Sequence, residues 1–187
     1  MDVMQAIKGR RSIRKYKPDP VPDEAVNTVL EAARWAPSWS NTQCWQFIVV
    51  RDPEVKRGLA GALKRLASGA ENPAAAAVRE APVVIVSCAE LGKSGYYKGE
   101  PVTDKGDWFM FDVALAMQNL TLAAHAMGLG TVHVGLFEAK DVASILEVPE
   151  GVAVVDMTPL GYPDETPGAI PRKDLADIVF QGKYGKK

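Results

Sequence analysis

Six basic side chains fall within the ten positions 8–17: Lys8, Arg10, Arg11, Arg14, Lys15 and Lys17, with Ser12 among them. The whole chain carries 22 basic and 23 acidic groups, so the cluster is a local feature and not a general bias. Four uses compete for it: a solvated face, a targeting peptide, a nucleic-acid arm, or a site for one small anion such as a phosphate. Guanidinium groups present forked donors that match phosphate oxygens, and serine adds a hydroxyl. Each charge-assisted hydrogen bond contributes about 1.5–3 kcal/mol net, so three or four around one phosphate can hold a ligand at micromolar affinity. A second basic pair, Arg172 and Lys173, follows a Pro-rich turn near the other end.

Other reactive constellations are missing. His125 and His133 lack metal-ligand spacing, so no metal site is expected. No Gly-x-Ser-x-Gly elbow or P-loop occurs. GLG at 128–130 reads as a helix stop, without the strand–glycine–helix unit of a dinucleotide site. Cys44 has no local activating feature and reads as a buried, inert thiol; His125 reads as an ordinary residue of a core helix. If the chain is an enzyme, no catalytic side chain is evident and a bound cofactor supplies the reactivity.

Composition narrows the four uses. Balanced charge and a pI near 6.1 count against a nucleic-acid partner. No apolar run is long enough to span a membrane, and Asp2 and the missing apolar core argue against a signal or transit peptide. Two cysteines do not make a disulfide framework, which points to a reducing cytoplasm. With 47% hydrophobic residues in 187, one domain spanning 1–187 with its own core is expected.

The elements that must carry the basic cluster are of both kinds. Asp2 can cap a short helix that stops at Gly9. Pro22 fits a first helical position, and Val26, Val29, Leu30 and Ala33 give an apolar stripe that Pro37 ends. WQFIVV (45–50) and VVIVSC (83–88) read as strands, and Asp52-Pro53 opens a helix striped by Val55, Leu59, Leu63 and Leu66. Residues 91–106 read as a loop. A helix over 107–127 is apolar on nearly every face and so is expected to be packed all round. TVHVG (131–135), a helix over 138–146 and the strand VAVVDMTPLG (152–161) follow, and the last residues form an extended tail. The order is α+β, with four to five strands.

Two stretches taken together, RRSIRKY (10–16) and APSWSNTQCWQF (36–47), resemble the nitroreductase family of flavin enzymes. The likeness continues through DVALAMQNLTLAAHAMGLGT, VGLF and LGYPDETPGAIPRKDLADIV, so it covers nearly the whole chain, and the order of the motifs is its most specific aspect. The resemblance implies a three-layer sandwich: a central, mostly antiparallel sheet with helices on both faces, in an intertwined homodimer with FMN at the interface. Residues 167–187 would be a tail wrapping the partner subunit.

By position, the resemblance puts Arg10, Arg11 and Ser12 at the FMN phosphate and ribityl, with Arg172 joining them and Lys173 nearby. Arg14 would approach the N1–C2 carbonyl side of the ring. Pro37, Ser38, Trp39 and Asn41 would reach the ring from the other subunit, and the Gly135–Leu136 backbone would face flavin N5. Flavin N5 would then carry hydride from NADH or NADPH to a nitroaromatic, quinone or related acceptor by a ping-pong route. Alternatives are a flavin-binding sensing or storage protein, or a family branch doing reductive dehalogenation or flavin fragmentation. The chain departs from the family pattern at four places, one of them the short loop 91–106, where larger members place pocket-covering helices. Cys44 stands where proline is common, Gly135-Leu136 replaces Glu-Gly, and alanines in 74–77 replace an Asn and a Lys.

Overall fold

Val83–Glu90, strand β2, is buried along almost its whole length, and its side chains divide by parity. Val83, Ile85 and Ala89 enter one core and Val84, Val86 and Cys88 the other, as the two-residue period of a strand requires. A strand covered on both faces needs helices on both sides, and the computed structural model, which describes residues 1–187, has them. On one face lie α2 (Asp23–Arg34) and α5 (Phe109–Ala126), through Val26, Val29, Val113, Met117 and Leu120. On the other lie α3 (Pro53–Gly61), α4 (Ala74–Glu80) and α6 (Ala139–Ile145), through Leu59, Ala75, Val78 and Val142. Between them runs a four-stranded antiparallel sheet in the order β1 (Trp45–Val50), β2, β6 (Val152–Gly161), β5 (Gly130–Thr131). The expected α+β three-layer sandwich is the architecture found. No helix is long and apolar enough to cross a membrane.

Helix α1 (Val3–Gly9) starts from a capping box: the Asp2 carboxylate accepts from Gln5 N–H, and the Gln5 amide oxygen accepts from Asp2 N–H. Several expected boundaries move. Pro22 is the N-cap of α2 and not its first turn; the helix ends at Arg34, since Ala36 precedes Pro37 and is disfavoured in the α region. Helix α3 stops at Gly61, short of Leu66. Leu63 is buried by pairing with Phe137 instead, while Lys64 N–H donates to the Leu136 carbonyl. Helix α4 was not expected, because alanines leave no apolar stripe to read. Within 91–106 there is a small hairpin, β3 (Tyr96–Tyr97) and β4 (Glu100–Pro101), turned by Lys98 and Gly99 at φ 52° and 84°.

Two further expectations fail in ways that bear on the site. Strand TVHVG is paired in the sheet only at Gly130–Thr131; Val134 makes an isolated bridge to Met157, and His133 turns outward. Helix α5 is not packed all round either. Met110 and Phe111 are more than half exposed, and Ala114 and Gln118 share that open face. One sheet can cover only one side of this helix, so a large apolar strip of α5 is left for something else to bury. The tail adds α7 (Leu175–Ile178), and Ile170, Leu175 and Ile178 are exposed along it.

Candidate functional site

The basic segment leaves α1 and is stitched to the end of the sheet. Ile13 N–H donates to the Thr131 carbonyl, Lys17 N–H to Tyr162, and Asp164 N–H to Lys15. Gly130 permits the close approach: a Cβ there would sit 2.8 Å from the Ile13 side chain. The Glu165 carboxylate accepts from the backbone N–H of Arg14 at 2.5 Å and of Lys15 at 3.2 Å, which ties the tail to the cluster. Tyr16 is buried, its hydroxyl donating to the Ile13 carbonyl; burial, and then Glu165, push its pKa upward. Lys15 and Lys17 are exposed.

This stitching makes a cleft of about 380 Å³ lined by Arg10, Arg11, Ser12, Arg14, Arg172 and residues 167–170. Five of the expected cofactor-binding side chains therefore meet at one place, although Arg172 comes from the far end of the chain. Lys173 is exposed and does not line the cleft. Burial, and then the charges of Arg11 and Arg172, pull the Arg10 guanidinium below its ordinary pKa. That crowding of cations favours binding of an anion. Arg11 has a second duty: its Nη1 donates to the carbonyls of Lys8, Gly9 and Arg10, capping the C-terminal end of α1.

A neighbouring cleft of about 480 Å³ shares Arg10 and Arg11 and adds His125, Glu165 and Thr131. His125 is thus not the satisfied core residue expected from its helix. It is half-buried against Gly9, and burial, then Arg10 and Arg11, lower its pKa. A third cleft, of about 220 Å³, joins Arg14 to Gly135, Leu136, His133 and Asn72. Arg14 therefore bridges the phosphate-like cleft and the one lined by the Gly135–Leu136 backbone. Asn72 was missed in the sequence; it lies just before the alanines, where its Oδ1 accepts from Ala74 N–H at 3.0 Å.

Pro37, Ser38, Trp39 and Asn41 line none of the clefts that contain the arginine cluster. Their segment is nonetheless tightly specified. Ser40, Asn41 and Gln43 hold φ of 45°, 57° and 48°, a left-handed conformation that costs non-glycine residues on the order of 1–3 kcal/mol each. The conformation is held from below by Asp112, a fully buried carboxylate in the first turn of α5. Asp112 accepts from Trp39 N–H at 3.0 Å, from the Ser94 hydroxyl at 2.6 Å and from the Thr42 hydroxyl at 3.4 Å. Ser38 adds a hydroxyl oxygen that accepts from Gln43 N–H. Strain maintained at an otherwise irregular loop marks a segment whose shape is in use.

Cys44 is buried beside Asp112, and burial, then Asp112 and Asp107, raise its thiol to about 11. It is a neutral thiol at pH 7. Cys44→Ala should leave turnover within a few-fold, and iodoacetamide should not inactivate the folded protein; loss of activity on alkylation at pH 7 would assign the thiol a role.

Known proteins resemble this chain in sequence and in fold. A sequence model described as the Nitroreductase family matches residues 7–162. A protein of Methanothermobacter thermautotrophicus is 37% identical over 181 residues, covering 95% of this chain and 84% of its own. Among solved structures, an FMN-dependent nitroreductase from Clostridium difficile R20291 superposes with a TM-score of 0.77 at 29% identity, covering 97% of this chain and 100% of the other. The NADPH:FMN oxidoreductase from Vibrio harveyi, complexed with NAD+, gives 0.79 at 29% identity, covering 98% of this chain and 78% of that one.

Proposed function

The chain belongs to the nitroreductase family, and we propose from that premise that it is an FMN-dependent NAD(P)H oxidoreductase reducing nitroaromatic, quinone or related flat acceptors by a ping-pong route. One observation carries the reading: Arg10, Arg11, Ser12, Arg14 and Arg172 converge on one cleft, and Arg14 continues into a second cleft lined by the Gly135–Leu136 backbone. The residues fit the cofactor. A terminal phosphate would relieve the mutual repulsion of Arg10, Arg11 and Arg172. One compact cation set suits one phosphate, and no Gly-rich turn offers a second for the pyrophosphate of FAD.

Bound there, FMN would supply the hydride chemistry. The side chains bind and orient. Arg10, Ser12 and Arg172 would grip the phosphate and ribityl, and Arg14 would place a positive charge beside N1, where reduction leaves negative charge. The Gly135–Leu136 backbone would orient the ring at N5, and Asn72 lines the same cleft. The resemblance gives Pro37, Ser38, Trp39 and Asn41 a role across a homodimer interface. That they line none of the arginine clefts of their own chain supports that reading, as does the uncovered face of α5. The tail from 167 onward, with Ile170, Leu175 and Ile178 exposed, would wrap the partner subunit.

The test is direct. The purified protein should be yellow, release FMN by mass, and run as a dimer, and its flavin should bleach with NADH or NADPH and recolour with a quinone. Recovery of FAD, or of no flavin after reconstitution, overturns the cofactor assignment. FMN that neither nicotinamide reduces leaves a binding protein. Arg14→Ala should lower the flavin midpoint potential by about 30 mV, equivalent to about 1.4 kcal/mol for a two-electron couple. Spectroelectrochemistry reads the shift, and an unchanged potential removes Arg14 from N1.

A further inference from the structure

Glu165 is the one acidic side chain lining any of the three clefts around the arginine segment, and the cofactor assignment gives it no part. Its charge is the wrong one for a phosphate site: it shares the 480 Å³ cleft with Arg10 and Arg11 and offsets part of their field. Its hydrogen bonds show another use. Oε1 accepts from the N–H of Arg14 at 2.5 Å and from that of Lys15 at 3.2 Å. On either side the end of the sheet takes the backbone, with Ile13 N–H donating to the Thr131 carbonyl and Lys17 N–H to the Tyr162 carbonyl. Between those points the amides of Arg14 and Lys15 reach no backbone carbonyl, and one carboxylate oxygen serves both.

Two consequences follow from where these groups sit in the chain. Ile13 and Tyr16 are buried on either side of Arg14 and Lys15, which fixes the ends of the segment but not the peptide planes between them. Arg14 is exposed, so the direction of its guanidinium depends on those planes. Glu165 also stands two residues before Pro167, where the run to Arg172 begins that forms the other wall of the 380 Å³ cleft. The same carboxylate therefore joins the two distant stretches that make the cleft. Asp164, beside it, is exposed and gives only its backbone N–H, to the Lys15 carbonyl.

We propose that Glu165 is a positioning residue for the cofactor: it locks the Arg14 and Lys15 peptide planes to the start of the tail, and so sets the direction of Arg14 and the spacing of the two cleft walls. The proposal rests on the FMN reading above. Its effect on phosphate affinity is opposite in sign to that of charge. If Glu165 acted only through its field, deleting a negative group from a cationic cleft would strengthen anion binding. If it holds the walls together, deletion weakens binding. Three substitutions separate the two. Glu165→Gln keeps an acceptor oxygen at the same reach and removes the charge. Glu165→Asp keeps the charge and shortens the reach by one methylene. Glu165→Ala removes both.

FMN affinity is measured by fluorescence quenching on each apoprotein, and the midpoint potential of bound FMN gives the affinity for the reduced form. A thermal scan checks that each variant is folded; should Glu165→Ala not fold, the Asp and Gln variants decide. Glu165→Ala should bind oxidised FMN about tenfold more weakly and Glu165→Asp about threefold, within the range of one charge-assisted hydrogen bond. Glu165→Gln should bind at least as tightly as wild type. In Glu165→Ala, reduced FMN should lose about threefold more than oxidised, because Arg14 no longer meets N1; in an Arg14→Ala background that extra loss should vanish or change sign. An Asp or Ala variant that binds FMN as tightly as wild type overturns the proposal, as does an extra loss that survives in the Arg14→Ala background. NMR relaxation of the Arg14 Nε–H group in the apoprotein reads the positioning without flavin. Motion should be faster in the Ala and Asp variants than in wild type and Glu165→Gln, and equal motion in all four overturns the proposal. Failure of wild type to take up FMN counts against the cofactor reading instead, and leaves the relaxation comparison to decide the role of Glu165.

Discussion

Asp112→Ala is expected to destabilise the protein by about 3 kcal/mol, lowering Tm by roughly 6–12 °C for a chain of this size. The carboxylate is fully buried, and the partners it holds are neutral donors: Trp39 N–H, the Ser94 and Thr42 hydroxyls, and the Cys44 thiol. Hydrogen bonds to a charged group contribute about 1.5–3 kcal/mol each, and the one from the Ser94 hydroxyl is short. Removing a buried charge returns some desolvation energy, which is why the expected loss is below the sum. The truncation also leaves Trp39 N–H and the Ser94 hydroxyl without an acceptor. The left-handed turns at Ser40, Asn41 and Gln43 then lose the contact that holds them, so the segment should relax before the core does. Hydrogen exchange at 38–44 should rise more than at β2. Asp112→Asn keeps the volume but turns a donor toward donors, and should behave like the alanine variant. A thermal scan within about 2 °C of wild type for both would show that Asp112 is not the support of this loop.

What the sequence made legible follows from how local each cause is. Strand β2 was readable because a β-branched run buried on both faces needs only its own residues to be recognised; β1, a partly buried edge strand, was readable as the short apolar run 45–50. The cap at Asp2 is likewise local to the turn it starts, though the answering contact from Gln5 was not read. Helix α4 was not, because Ala74–Ala77 is apolar all round and owes its place to a gap between α3 and the sheet. His125 was misplaced because a helix pattern tells which residues are apolar, not which neighbour comes to lie against them; Arg10 and Arg11 approach it from α1. Asp112 depends on Trp39 and Ser94, and Glu165 on Arg14 and Lys15, and each set is separated by a turn of the fold that periodicity does not encode. The arginine cluster was legible from its spacing as one candidate for an anion site among other uses, and the family resemblance singled that use out. The resemblance already put Arg172 with it; that Lys173 stays outside the cleft required the path of the tail.

Arg10→Ala should weaken FMN binding by one to two factors of ten, the loss expected from one charge-assisted hydrogen bond. Arg10 is half-buried, with Arg11 and Arg172 acting on it, so a bound phosphate relieves its crowded charge. Arg172→Ala should cost less, because that side chain is exposed and more of its charge is screened by solvent. Arg11→Ala should differ in kind: its guanidinium also caps α1, so a loss of Tm should accompany the loss of affinity. His125 gives a second readout in the apoprotein. Burial first, then Arg10 and Arg11, hold its pKa below 6.5, so deleting Arg10 removes one of the depressing charges and the pKa must rise. Filling the cleft with phosphate offsets those same charges and moves it in the same direction, so that in wild type the His125 proton resonance should titrate at higher pH with FMN bound than without. Fluorescence titration of FMN quenching measures the affinities. An Arg10→Ala protein that binds FMN as wild type does, with an unmoved His125 titration, would place the phosphate elsewhere and leave Arg10 with no part in the site.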